Sequence, residues 1–148
     1  MSKLEIRNSK TAPTADGPAP VIRDFPDLPV WQLARELRNH VYNLTRKFPH
    51  EERYGLTQLL RRAASSITSN IAEGFGRYSF QENIQFCRQS RGSAYEVRDH
   101  LITAKDQGYI APTARESVDL LAQRVIQTLN GYIRSTQARQ KLSVKAKN

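Results

Sequence analysis

The sequence predicts an all-α chain, arranged as an antiparallel up-down-up-down four-helix bundle. Three observations carry that reading. Apolar residues recur at helical spacing in four successive segments, two of which keep an unbroken 4, 3, 4, 3, 4 seam. No stretch sustains the two-residue alternation of a half-buried strand. The links between segments are short, which favours antiparallel neighbours.

The first segment runs from about Leu28 to Phe48. Val30, Ala34, Leu37, Val41, Leu44 and Phe48 form its seam, and Pro49 stops it. The second runs from about Tyr54 to Phe75, with Leu56, Leu60, Ala63, Ile67, Ile71 and Gly74 on one face. Gly74 and Gly76 read as its end and as a tight turn into the next helix. The third opens on Ser79-Phe-Gln-Glu82, a capping box in which the hydroxyl accepts a backbone N–H and the carboxylate reaches back. Phe80, Ile84, Cys87, Ala94, Val97, Leu101 and Ala104 are its inner stripe, and Gly108 reads as its C-cap. The fourth opens on Thr113-Ala-Arg-Glu116, a second capping box just after Pro112. Val118, Ala122, Val125, Leu129, Tyr132 and Thr136 repeat along it at the same seam spacing.

Three regions follow. Residues 1–24 are rich in proline and small side chains without periodicity, as in a flexible leader. Residues 25–136 form the bundle, and 137–148 read as a basic, disordered tail. The apolar faces are wide for so small a bundle, so a homo-oligomer is expected.

Charge and composition narrow the function classes. The 148 residues hold 23 Lys and Arg against 14 Asp and Glu, a formal charge of +9. Five of those bases stand in Arg134–Asn148 without an acid, a pattern of either a solvated end or a polyanion contact. The one cysteine, Cys87, excludes an intrachain disulfide and a multi-cysteine zinc site. No apolar run approaches the roughly 20 residues of a membrane span, and no secretory h-region opens the chain. A cytoplasmic protein without a membrane partner is expected.

Catalytic signals are missing from the pattern. His40, His50 and His100 show no i, i+4 pairing, and adjacent Asp99 and His100 diverge on a helix, so no metal is expected. Gly74-Phe-Gly76 is not a phosphate loop, because no strand precedes it and Ser79 stands at the third glycine position. Asn70, between Ile67 and Ile71, reads as a buried amide fixing helix register. Glu73 reads as a salt-bridge partner for a nearby arginine rather than a general base. No cofactor and no enzymatic activity are expected.

Polyanion-binding candidates are more numerous. Arg88, Arg91, Tyr95 and Arg98 are spaced 3, 4, 3 on the third helix, a basic face with an aromatic ring set in it. Arg91 and Arg98 also lie close to the apolar stripe, so they equally suit pairing across a seam. Arg61 and Arg62 flank the second helix, and Arg77 stands in the turn after it. Arg139, Lys141, Lys145 and Lys147 complete the set from the C-terminal end.

Several runs carry a family resemblance: Val30-Trp-Gln-Leu-Ala-Arg-Glu-Leu37, Phe48-Pro-His-Glu-Glu-Arg-Tyr-Gly-Leu56, Arg61-Arg-Ala-Ala64, Asn70-Ile-Ala-Glu-Gly-Phe-Gly-Arg77 and Ala104-Lys-Asp-Gln-Gly-Tyr109. In order and spacing, over about Phe25 to Ile133, they resemble the 23S rRNA intervening-sequence proteins. These are related to the accessory variability determinants of diversity-generating retroelements. The resemblance implies a homopentameric barrel of four-helix bundles with a positive surface and no known enzymatic activity. The expected function is therefore non-catalytic binding of RNA or DNA through basic surfaces with low sequence specificity. The alternative is a protein scaffold or adaptor, such as an accessory subunit for a reverse transcriptase.

Overall fold

The computed structural model describes residue 18 and residues 20–148. It contains four α-helices, with no strand among the described residues. Helix α1 spans Pro29–Thr45, α2 Leu56–Gly76, α3 Phe80–Asp106 and α4 Pro112–Ala146. Short 3-10 turns at Phe25–Asp27 and His50–Glu52 lead into α1 and α2. No helix among the described residues is long and apolar enough to cross a membrane.

Each helix packs on its neighbours in the chain, and α1 also packs on α4, so the four close around one core. The seam residues fill it: Leu37, Leu60, Ile67, Ile71, Leu101 and Leu129 are fully buried. Burying each such side chain contributes about 1.5–3 kcal/mol. Bonds between helices run in opposed residue order. Arg38 and Arg61 of α1 and α2 reach Thr68 and Thr45, and Ser90 and Ser93 of α3 meet Ile67 and Ser66 of α2. From α3 to α4, Arg98 meets Asp119, Arg91 meets Asn130 and Asn83 meets Tyr132.

The third helix carries small polar groups where its stripe lacked an apolar residue. Ser90 is fully buried between Cys87 and Ala94, and its hydroxyl donates to the Ile67 carbonyl at 2.8 Å. That satisfied bond lets α2 and α3 approach closely without an orphaned polar group. Gly74 serves the same approach. A Cβ there would stand 2.8 Å from the Phe86 Cβ and 3.2 Å from the Asn83 carbonyl oxygen.

Several ends differ from expectation. Helix α1 stops at Thr45, and Phe48 packs from the connection beyond it, its ring centroid 5.6 Å from that of Tyr109. The turn between α2 and α3 belongs to Tyr78, at φ 56°, because both Gly74 and Gly76 are helical. At the start of α3 the Ser79 hydroxyl accepts the Glu82 N–H at 3.4 Å, but the reciprocal bond does not form. Phe80 stands at the rim of the core, partly exposed, because it occupies the first helical position. The Thr113 capping box is not formed: Pro112 takes the first helical position, where its missing N–H costs nothing, and Ala111 precedes it.

Gly108 does close α3, at φ 76°. Its N–H bonds the Lys105 carbonyl and the Tyr109 N–H bonds the Ala104 carbonyl, both at 2.9 Å, the two-bond Schellman arrangement. The largest correction is at the C-terminus. Residues 137–146, expected as a disordered tail, are the last turns of α4. They are Gln, Ala, Arg, Lys, Leu, Ser and Val without Gly or Pro, and a helix already nucleated in the core propagates through such residues cheaply. Most of the expected leader lies outside the described residues. Its last part is described, and there Asp24 caps the turn at Phe25–Asp27.

Candidate nucleic-acid interface

The start of α2 and the end of α1 build a cationic groove. Arg61 is held from two sides: its Nε donates to the Thr45 hydroxyl at 2.9 Å, and its guanidinium lies 4.7 Å from the centre of the Tyr42 ring. One turn before α2, the Arg53 guanidinium lies 4.6 Å over the Tyr54 ring, which is 77% exposed. Arg62, Thr57, Gln58 and Ser65 complete a shallow cavity of about 360 Å³, and no acidic side chain lines it. The nearby carboxylate of Glu52 is engaged elsewhere. It accepts the Leu56 N–H at 2.7 Å, favourable at a helix N-terminus, and the Tyr109 hydroxyl at 3.4 Å.

Arg77, Arg88, Arg139, Lys141, Lys145 and Lys147 belong to the other end. Arg61 lies in the second turn of α2 and Arg77 just past its end, and sixteen residues at 1.5 Å each separate them by about 24 Å along the axis. Arg77 pairs with Glu73 at 2.8 Å, and both side chains are about half exposed. That bond raises the Arg77 pKa further above its ordinary value. Arg88 faces a polar groove with Gln81, Gln85, Gln137 and Gln140, and the acidic Glu82 shares it. Arg139 donates to the Thr136 hydroxyl at 3.2 Å and lies 5.9 Å from the Phe80 ring. Lys141, Lys145 and Lys147 are exposed on and just after the last turns of α4.

The remaining two candidates lie in a seam. Arg91 donates to the Asn130 side chain at 2.8 Å, and Arg98 donates through Nε to Asp119 Oδ1 at 2.8 Å. Of the face expected on α3, Arg88 and Tyr95 are exposed, while the register turns Arg91 and Arg98 toward α4. Asp119 is the residue the sequence reading missed. Burial alone would raise its carboxyl, but hydrogen bonds from Arg98 and Gln123, with the charges of Arg98 and Arg115, outweigh that and hold it below the ordinary value. Its sequence signal was faint: one acid on the buried face of α4, beside Val118 and Leu121.

The polar motif of α2 is structural in its contacts. Asn70 is half-buried and donates to the Ser66 carbonyl at 2.8 Å and hydroxyl at 2.9 Å, within its own helix. It reaches α3 only through Ser66, whose hydroxyl bonds that of Ser93 at 2.8 Å. The expected direct bond to a neighbouring helix is thus replaced by a relay. Cys87 is fully buried, and burial pushes its thiol up to about 12, which disfavours thiolate chemistry. Among the described residues no group of three His, Cys, Asp or Glu side chains is placed to hold a metal. Arg53, Tyr54 and Tyr42 were also missed as binding residues. Their signal was the Arg53-Tyr54 pair just before a helix, an aromatic with no seam to join.

Residues 26–131 match the family model described as 23S rRNA-intervening sequence protein. Nothing among curated proteins matches the chain significantly. Among solved structures, it is similar to a protein of unknown function from the S23 ribosomal protein family of Bacteroides thetaiotaomicron. The identity is 20% and the TM-score 0.65, over 70% of this chain and 97% of that one. At that identity the likeness concerns the fold, which the four-helix core shares. With a family match across most of its length, the chain belongs to the 23S rRNA-intervening sequence protein family.

Proposed function

We propose that this protein is a non-catalytic, cytoplasmic nucleic-acid-binding protein that engages RNA or DNA backbones with little sequence discrimination. The supporting observation is the groove of Arg53, Arg61 and Arg62 with Tyr42 and Tyr54. Arginines without opposing acids meet phosphates, and an exposed ring beside them stacks on any base. We read the opposed order of bonds between helices as an up-down-up-down bundle, and the bundles as assembling into a homopentameric barrel. In such an assembly five chains at +9 each give +45, and the two basic ends of every chain repeat around it.

Mobility shifts of the full chain near physiological salt, about 0.15 M, test the reading. Wild type binds both single strands and duplex, with a log–log salt slope of about −0.7 to −0.9 per phosphate engaged. Reversing Arg61 and Arg62 to Glu weakens binding across sequences and makes the slope shallower by about one for each phosphate no longer engaged. Arg91→Ala leaves the slope alone, since its guanidinium is held by Asn130. Correctly folded wild type that binds neither nucleic acid at that salt refutes the proposal and favours a protein adaptor, for instance for a reverse transcriptase.

A further inference from the structure

We propose that the corner between α2 and α3 is a pocket for one unpaired nucleobase of a single strand, an inference that rests on the nucleic-acid reading above. Tyr78 is the reason to look there. Among the described residues it alone combines a side chain with positive φ, at 56°. A bulky residue is disfavoured in that region, where glycine or asparagine sits easily. The ring gives the fold nothing in return, since it is 94% exposed. The turn out of α2 needs the left-handed conformation but not a tyrosine, and a bulky residue kept there without packing is the kind of outlier that marks a functional site.

Beside it lies a cavity of about 190 Å³ walled by Phe75, Phe80 and Tyr132, with Arg139 at its edge. Drug-sized ligands occupy about 300–1,000 Å³, so this cavity suits one planar ring system. Aromatic walls and an exposed tyrosine at the mouth offer ring surface on which a base stacks, and Arg139 already lies against the Phe80 ring there. The Ser79 hydroxyl accepts the Glu82 N–H, which leaves its O–H to donate to a base edge. Arg139 uses one N–H on Thr136, so others remain for the adjoining phosphate. Arg77 neighbours Tyr78 in the chain and adds positive charge, partly offset by Glu73. Bases within a duplex are already paired and stacked, so the pocket selects single strands.

The test compares wild type, Tyr78→Asn and Tyr78→Phe for binding to a mixed-sequence single strand, as RNA and as DNA, and to its duplex. Asparagine keeps the backbone conformation without the ring. Tyr78→Asn lowers single-strand affinity roughly 5- to 100-fold, leaves duplex affinity unchanged and melts no lower than wild type. Tyr78→Phe binds the single strand nearly as wild type does. A loss shared by RNA and DNA, or confined to one, supports the pocket and identifies the polymer it takes. Unchanged single-strand binding by Tyr78→Asn, an equal loss on duplex, or a lowered melting temperature each overturns it. If Arg61→Glu weakens both probes while Tyr78→Asn weakens neither, the basic groove stands and the pocket falls. If wild type binds no probe, both fall together.

Discussion

Asp119 holds Arg98, and more distantly Arg115, within the seam between α3 and α4. Its side chain is 9% exposed, and it receives Arg98 at 2.8 Å, Gln123 at 2.7 Å and, more distantly, Arg115 at 3.8 Å. Replacing it with alanine strands Arg98 and Gln123 at a partly buried seam and lowers stability by about 1–3 kcal/mol, read by chemical denaturation. The same carboxyl sets an acid dependence. Its folded pKa is depressed, so the unfolded chain takes up the proton first as pH falls. The contribution is whole above the ordinary carboxylate range, near 3.9, and is lost as pH drops through the lowered folded value. The stability gap between wild type and Asp119→Ala is therefore constant from neutrality to about pH 5 and narrows below about pH 4. Glu73→Gln, by contrast, leaves melting nearly unchanged, because that pair is solvent-exposed. The identity of Glu73 as an ion-pair partner was legible from spacing alone. The partner of Arg98 was not, because it depends on how α4 is rotated against α3.

At the scale of elements, periodicity carried nearly everything about the helices and little about where they stop. The seam residues from Val30 to Thr136 are overwhelmingly buried, so the core was readable in one dimension. Ends depend on local competition, as when Pro112 pre-empts the Thr113 cap, or when helix propensity outlasts a run of positive charge in residues 137–146. The two glycines ending α2 show the same divide. Both read as turn residues, yet only their surroundings separate them. Gly74→Ala pushes a methyl against the Phe86 Cβ and the α3 backbone and destabilises by about 1–3 kcal/mol. A Cβ at Gly76 meets nothing within 4 Å, so Gly76→Ala stabilises by about 0.4–1 kcal/mol through the unfolded chain. Thermal or denaturant melts of the two variants give opposite signs. Stabilisation by both would mean that α2 can shift on α3 to relieve the contact at Gly74. The candidate site was legible as a list of cations. What sequence did not convey was which of these cations gather at each end of α2, because that needs the contacts between helices.

For the whole molecule, charge and apolar surface pull in opposite directions. Tyr95 and Ile102 stand seven residues apart on α3, two turns along one face, and both are exposed, as is Leu120 on α4. Covering such residues favours association, while gathering chains of +9 opposes it. Added salt screens the repulsion between subunits and leaves apolar burial intact, so the proposed pentamer tightens as salt rises. Nucleic-acid binding has the reverse dependence, because released counterions drive it. Light scattering coupled to size exclusion at micromolar chain concentration separates the two effects. Protein alone gives about five masses of 16.9 kDa, and holds that mass at lower concentration when salt is raised. A nucleic-acid complex sheds its ligand over the same salt range without losing the five-chain mass. A single chain mass at every salt would refute the assembly and leave the groove as a one-chain site. Dissociation of the oligomer on raising salt would place charge pairs, rather than apolar faces, between the subunits.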